Sequence, residues 1–462
     1  MKDSKLERLR HNAILFGQQF LQGDDSALDR AFGQSLTDIL RCHLPPHRER
    51  IYAPLDTLRL FINQMLSTDG ACQDVVGRRL SERIARGQPA SALTTGSYCD
   101  ARQRLPLSLP VSLGCALGAQ LEAAAPPHWR WQQRTIKIFD GTTVSMPDTP
   151  SNQAAYPQSR EQKVGLGFPI ARIGALIGLA SGAVLAYQVV ACEGKGTGEQ
   201  SLLTNLLGNL DASDIVLADA LLATWWIIEA AIGRQADVVM AQHGARITDF
   251  TRGKKLGKRD HIVQWPRPPK PKWMSVEAYA GFPLFITLRE VEVNGRILVT
   301  TLLNPKTVSV GRLGALYKMR WYIEVDFRTI KATLQMDVVR CKSRSMIDKE
   351  IAVCFLAYNL VRWAMVKAAI LADVLPRTLS FTGAKRLLSS FADQLRRIIR
   401  GNIHNLITTV LHSIAALTLP ERPDRIEPRA KKRRPKKLPL LTVPRQTARN
   451  LIYAQRNLNR VP

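Results

Sequence analysis

Two short apolar runs that each end in an aspartate constrain this chain most. Arg134-Thr-Ile136-Lys-Ile138-Phe139-Asp140 alternates in polarity and enters Asp140-Gly141-Thr142-Thr143, a strand running into a turn. Asp214-Ile-Val-Leu-Ala-Asp219 is a continuous apolar run of the kind a buried strand shows, and it too closes on an acid. Between them lie a Gly/Pro/Gln-rich loop (Ser151 to Gly167), a hairpin (Ile170 to Leu179, Ser181-Gly182, Ala183 to Val190) and a helix (Glu199 to Leu210). Another helix, Leu222 to Ile232, comes next. Strand, hairpin, helix, strand, helix is an α/β order, and it makes the strands of Asp140 and Asp219 neighbours in one sheet. An acid after a strand is usually a cap or turn residue, so neither aspartate alone marks a site.

A third feature changes that weighing. Tyr317-Lys-Met-Arg320-Trp321-Tyr-Ile-Glu324-Val-Asp-Phe-Arg-Thr-Ile-Lys331 has helical apolar spacing with no Gly or Pro. At about 100° per residue, Tyr317, Arg320, Glu324 and Lys331 fall on one face roughly 60° wide. A bland alternative exists, because Arg320 and Glu324 are also an ordinary i,i+4 surface pair. With two strand-end aspartates upstream, three convergent carboxylates instead imply a pair of divalent cations between them. Such a pair activates a nucleophile and stabilises the leaving oxygen of a phosphodiester.

Charge agrees with a polyanionic partner. There are 65 Lys+Arg against 38 Asp+Glu, a formal net charge of +27, which makes nucleic acid the default and a membrane surface the weaker option. The longest apolar candidate for a span, Ile170 to Ala191, is interrupted by Arg172, glycines and Gln188, and the charged N-terminus leads into no signal-peptide core, so no membrane association is expected. Seven scattered cysteines without a Cys-x-x-Cys suit a reducing compartment and exclude a disulfide scaffold or structural zinc.

Six regions are expected. Residues 1–130 form a helical DNA-binding region, with Arg78, Arg79, Arg83 and Arg86 offered to phosphates. Residues 131–235 carry the strands of Asp140 and Asp219, and 236–305 are strand-rich, with a hairpin turn at Asn294-Gly295. Residues 306–342 carry the helix of Glu324, 343–419 are helical, and 420–462 are a basic, proline-rich tail. Within 236–305, Lys254, Lys255, Lys258 and Arg259, then Trp265 and Trp273, read as a proline-stiffened loop suited to DNA backbone and stacking, or else as a plain solvated loop.

Tyr-(2)-Arg-(3)-Glu-(6)-Lys, matched by Tyr317, Arg320, Glu324 and Lys331, resembles the signature of the insertion-sequence-four family of DDE transposases. Asp140-Gly141-Thr142 looks like its first aspartate motif and Leu217-Ala218-Asp219 like its second. The resemblance implies an RNase H-like catalytic domain interrupted by a strand-rich insertion, flanked by helical N- and C-terminal regions. It implies Asp140, Asp219 and Glu324 as catalytic metal ligands for two Mg²⁺ ions, with Mn²⁺ as a substitute. Tyr317, Arg320 and Lys331 would hold DNA, and Trp265 or Trp273 would stack on a flipped base. The implied partners are double-stranded DNA, as element terminal inverted repeats and target, and a second copy of the chain in a synaptic complex. The implied location is the bacterial cytoplasm, at the nucleoid. One departure favours a different reading: Ala220-Leu221-Leu222 comes after the second aspartate where many members carry Arg and aromatics. That leaves a catalytically weakened DNA-binding protein with the transposase fold as the alternative.

Overall fold

The structure, a computed structural model, describes Ile39 and residues 42–44, 51–85, 87–272, 274–397, 403–420 and 441–458. Trp273 and the basic run 431–437 lie outside the described residues.

Four helices open the described chain: α1 (Pro54–Leu66), α2 (Cys72–Ala85), α3 (Gly96–Arg104) and α4 (Ser108–Ala123). Of the arginines expected to face DNA here, Arg78 is exposed and Arg83 partly so, Arg86 lies outside the described residues, and Arg79, like its neighbour Arg102, is taken up by packing. Arg79 is buried and pairs with Asp56 at 2.8 Å, and Arg102, also buried, stacks on Phe61 and Tyr98. A buried guanidinium needs such partners, so these two serve packing and not phosphate.

Next come β1 (Ile136–Ser145), α5 (Pro150–Ala155), β2 (Ile170–Gly178), β3 (Val184–Ala191), α6 (Glu199–Leu206), β4 (Ile215–Ala218), α7 (Trp225–Ile232) and β5 (Asp237–Ala241). After these come β6 (Lys254–Gly257), β7 (Asp260–Pro266), α8 (Val276–Ala280), β8 (Phe285–Val293) and β9 (Arg296–Thr300). All nine strands join one sheet in the order β3-β2-β1-β4-β5-β9-β8-β7-β6. β1, β2 and β3 are antiparallel neighbours, while β4 runs parallel to β1 and β5 parallel to β4.

The strand-rich segment 236–305 joins the same sheet: β5 pairs parallel with β4, and β9 pairs antiparallel with β5. An open β5 edge would be a row of unpaired backbone groups, and β9 covers it. The basic stretch read as a loop is instead the β6–β7 edge hairpin, with Lys258 and Arg259 at its turn and Arg259 at φ 54°. The Asn294-Gly295 turn is as expected, with φ of 50° and 75°, the left-handed pair that a two-residue hairpin needs.

The chain ends with α9 (Val310–Lys318), α10 (Tyr322–Thr333), α11 (Arg344–Ala372), α12 (Phe381–Arg397), α13 (Ile403–Ala416) and α14 (Arg445–Leu458). The 29-residue α11 is long and apolar enough to cross a membrane, although the sequence pointed to 170–191 as the longest candidate. It is the core helix, 94% of its most apolar window being buried. One sheet face, with Ile136, Ile138, Ile215, Leu217 and Val239, packs on α4, α10 and α11. The other face, with Phe139, Val216, Ala218, Val238 and Met240, packs on α6 and α7.

Buried ions fix α10 to this core. Asp326 is fully buried and accepts from Arg362 at 2.6 Å, from Arg377 at 3.0 Å and from the Tyr358 hydroxyl at 3.1 Å. Asp326→Ala leaves two guanidinium groups without their counter-charge. It is expected to lower stability by roughly 3–5 kcal/mol in urea unfolding, because the orphaned charges stay buried.

Candidate active site

β1 and β4 run parallel, with Ile138 opposite Leu217 as their last pair. Asp140 and Asp219 each lie two residues further on. Side chains alternate along a strand, so both aspartates leave the sheet on the α10 side, as Ile138 and Leu217 do. β1 does not turn at Asp140 as expected. It continues to Ser145 because β2 pairs with it all the way, Asp140 opposite Ala175 and Ser145 opposite Ile170. Only β4 stops, at Ala218, and there Asp219 caps the 3-10 turn Ala220–Leu222 by accepting from the Leu221 N–H at 3.0 Å. A cleft between β1 and β4 thus opens beyond the carboxyl end of β4.

The signature residues arrive from the last part of the sheet domain, but not on one unbroken helix. A 3-10 turn, Met319–Trp321, separates α9 from α10. Its tighter winding, about 120° per residue, rotates α9 relative to α10. Tyr317 consequently turns inward: it is 9% exposed, its hydroxyl meets the Ala241 backbone at the end of β5, and Arg296 lies over its ring. Arg320 sits between the acids, donating to Glu324 at 2.8 Å and to Asp140 at 3.4 Å. Lys331 is 3.5 Å from the Thr142 hydroxyl and 3.3 Å from Asp337. It lines an open cleft of about 670 Å³ together with Arg328 and Arg340, neither of which stands out in the sequence.

The other expected DNA contacts are elsewhere. Lys254, Lys255, Lys258 and Arg259 are exposed, but β6 is five strand positions from β4 in the sheet order. At about 4.8 Å per strand that is roughly 24 Å. Trp265 is 2% exposed, donates its indole N–H to Glu290 at 2.7 Å and lies under Arg246. Both ring faces are enclosed, so Trp265 is core, and the expectation that it stacks on a base is withdrawn. Strand β7 alternates, and position 265 falls on its inward side.

A sequence model of the transposase DDE domain matches residues 131–360, the span from the start of the sheet to the middle of α11. Over 342 residues the chain is 29% identical to the transposase InsG of insertion sequence element IS4 from Escherichia coli (strain K12), covering 71% of this chain and 74% of that protein. The chain belongs to the DDE transposases of the insertion-sequence-four family. It is accordingly a DNA-cleaving and DNA-transferring enzyme. A solved piggyBac transposase synaptic complex with hairpin DNA aligns over 90% of this chain and 87% of that one, at 9% identity and a TM-score of 0.39, a likeness too weak to argue from.

In this transposase the acids carry an electrostatic load. The Asp140 carboxyl is pushed up to about 6, by burial first, with Glu199 and Asp219 adding repulsion. The Gly141 N–H and Arg320 pull in the opposite direction and do not prevail. Glu199, the first residue of α6, reads from sequence only as a helix start. It too is raised, by burial and by Asp219. Among the described residues, no three Asp, Glu, His or Cys side chains come close enough together to hold one cation. The geometry shows why: Arg320 stands between Asp140 and Glu324, a guanidinium where a metal's charge would lie, and Asp219 is turned to its cap. Hard carboxylate oxygens are the donor chemistry of a divalent metal site, so the donor types suit such an ion although Arg320 and the Asp219 cap now hold them apart.

The raised Asp140 carboxyl sets a pH dependence. A folded-state value above the unfolded one means the folded protein binds this proton more tightly, so the group favours folding as pH falls through about 6. Asp140→Asn in metal-free buffer is therefore expected to melt above the wild type at pH 7.5. The gap should narrow below pH 6, as tracked by thermal unfolding across pH 5 to 8.

Proposed function

We propose that this transposase cleaves and joins DNA at the terminal inverted repeats of an insertion sequence by two-metal catalysis, with Asp140, Asp219 and Glu324 holding two Mg²⁺ ions, or Mn²⁺ in their place. The observation that carries this is the in-register projection of Asp140 and Asp219 to one face of parallel strands, with Glu324 brought across by Arg320. The unit β3-β2-β1-β4-β5, three antiparallel strands and then two parallel ones, supports an RNase H-like catalytic domain, with β6 to β9 as the insertion it carries. When bound, the ions supply charge that polarises the nucleophile and stabilises the leaving oxygen of the phosphodiester.

The chain's own residues do the rest. Arg320, at present shared between two carboxylates, has the planar fork that grips a phosphate oxygen. Tyr317, buried in the core, supports the turn from which Arg320 projects. Lys331, Arg328 and Arg340 line the adjoining cleft with one acid, Asp337, which pairs with Lys331, and give the DNA strand a wall of net positive charge. Asp326 and its arginines hold α10 so that Glu324 meets the sheet at a set height. Two copies of the chain would pair two element ends in the synaptic complex, and the exposed β6–β7 lysines are placed to contact DNA away from the reacting phosphate.

Glu324→Gln keeps the side chain's size and removes its charge. It is expected to lower Mg²⁺-dependent cleavage of labelled element ends by orders of magnitude while DNA binding persists or tightens. Lys331→Ala and Arg320→Ala should weaken DNA binding, with rate partly recovered at high DNA concentration in single-turnover assays. Wild-type cleavage by Glu324→Gln would reduce that carboxylate to a salt-bridge partner and sink the reading.

DNA affinity should also fall steeply with salt, each neutralised phosphate contributing about −0.9 to the slope of log affinity on log salt. Deleting residues 429–437 should make that slope shallower and leave cleavage at saturating DNA intact. Loss of cleavage there would assign the tail another role.

A further inference from the structure

Glu199 reaches the site from the side of the sheet opposite Glu324. α6 packs on the face of Phe139, Val216 and Ala218, whereas α10 packs on the face of Ile138 and Leu217. Glu199 nevertheless comes level with Asp140, because the next residue has no side chain. A Cβ built on Gly141 would lie 2.5 Å from Glu199 Oε1 and 2.8 Å from its Cγ and Cδ. Any other residue at 141 would displace the carboxylate.

The approach is anchored at two points. Gln200 Nε2 donates to the Leu221 carbonyl at 2.8 Å, tying α6 to the turn that Asp219 caps. Arg172 Nη1 donates to the Thr197 carbonyl at 3.0 Å, holding the glycine-rich turn that enters α6. No hydrogen bond or ion pair takes up the Glu199 carboxylate among the described residues. Arg172 opposes the charge of Glu199 without forming an ion pair with it, and burial together with Asp219 outweighs it, an unfavourable balance that a divalent cation would reverse.

We propose that Glu199 is a fourth metal-holding carboxylate of this transposase, acting with Asp140 and Asp219, directly or through bound water, from the face opposite Glu324. This rests on the two-metal reading above. Mg²⁺ keeps several of its roughly six oxygen positions for water and phosphate, and Glu199, at the edge of the acidic pair, would hold the ion itself or one of those waters.

The test is Mn²⁺ binding to the metal-free, full-length protein, read from the electron paramagnetic resonance signal of free Mn²⁺. The proteins are the wild type, Asp140→Asn, Glu199→Gln, Glu199→Asp and Gly141→Ala, each with its thermal melt. Asp140→Asn is expected to lose binding, and Glu199→Gln to weaken it by about tenfold or more. Glu199→Asp should recover part of the affinity, and Gly141→Ala, which displaces the carboxylate without removing it, should behave like Glu199→Gln. If Asp140→Asn binds Mn²⁺ like the wild type, the two-metal reading fails, and with it the role of Glu199. If Asp140→Asn loses Mn²⁺ while Glu199→Gln and Gly141→Ala keep wild-type affinity and stoichiometry, the two-metal reading stands and the fourth carboxylate is overturned.

Discussion

The parallel pairing of β1 with β4 is the constraint on which the site depends. It sets Asp140 beside Asp219 on one face of the sheet, an arrangement that raises the free energy of the folded chain through burial and mutual repulsion. Nothing local would hold two acids there. The two apolar faces of the sheet do, by burying Ile138 and Leu217 against α10 and α11 and Phe139 and Val216 against α6 and α7. Arg320 relieves part of the repulsion by pairing with Asp140 and Glu324 at once. A core must be stable enough to carry such a cost, and the locally unfavourable place in the fold is the place where DNA chemistry is done.

Buried charge elsewhere in the molecule does the opposite work. Asp326 with Arg362 and Arg377 is fully compensated and joins α10, α11 and the Pro376–Thr378 turn. Arg289 makes two bonds to Asp260 inside the β7–β8 pair, and Glu290 joins His261 to Trp265. Such networks make a sheet extension of modest width rigid, because each member left alone would be a buried unpaired charge. The rigid extension ends in β6, whose Lys254 and Lys255 are exposed. Lysines on an edge strand discourage pairing with another sheet, so these side chains have a structural reason to be there as well as an affinity for phosphate.

The site is also two-sided. Arg320 and Glu324 approach across one face of the sheet, and Glu199 comes from the other through the gap at Gly141. Lys331, near Thr142, and the cleft it shares with Arg328 and Arg340 continue the cationic surface away from the acids. Negative charge is thus concentrated at the strand ends and positive charge along the adjoining wall, the polarity that a phosphodiester backbone held over a metal site requires.

Much of this was legible in the linear chain. The strands of Asp140 and Asp219, the helix of Glu324, the Asn294-Gly295 turn and the pairing of Arg320 with Glu324 all come from spacings of two, three or four residues, which short-range sterics and side-chain alternation set. The family signature lay in the same local spacings. Tertiary structure alone decided the rest. Trp265 is core because β7 is paired on both sides, Tyr317 turns inward because a 3-10 turn comes directly after α9, and α11 is buried although its apolar run would also suit a membrane. Glu199 comes near Asp140 only because the connection from β3 to β4 lays α6 over the β1 face at Gly141, where no side chain stands in the way. Those outcomes depend on which distant segments cover which faces. Local spacing carries no record of that, since the free energy that selects it comes from burial summed over the whole core.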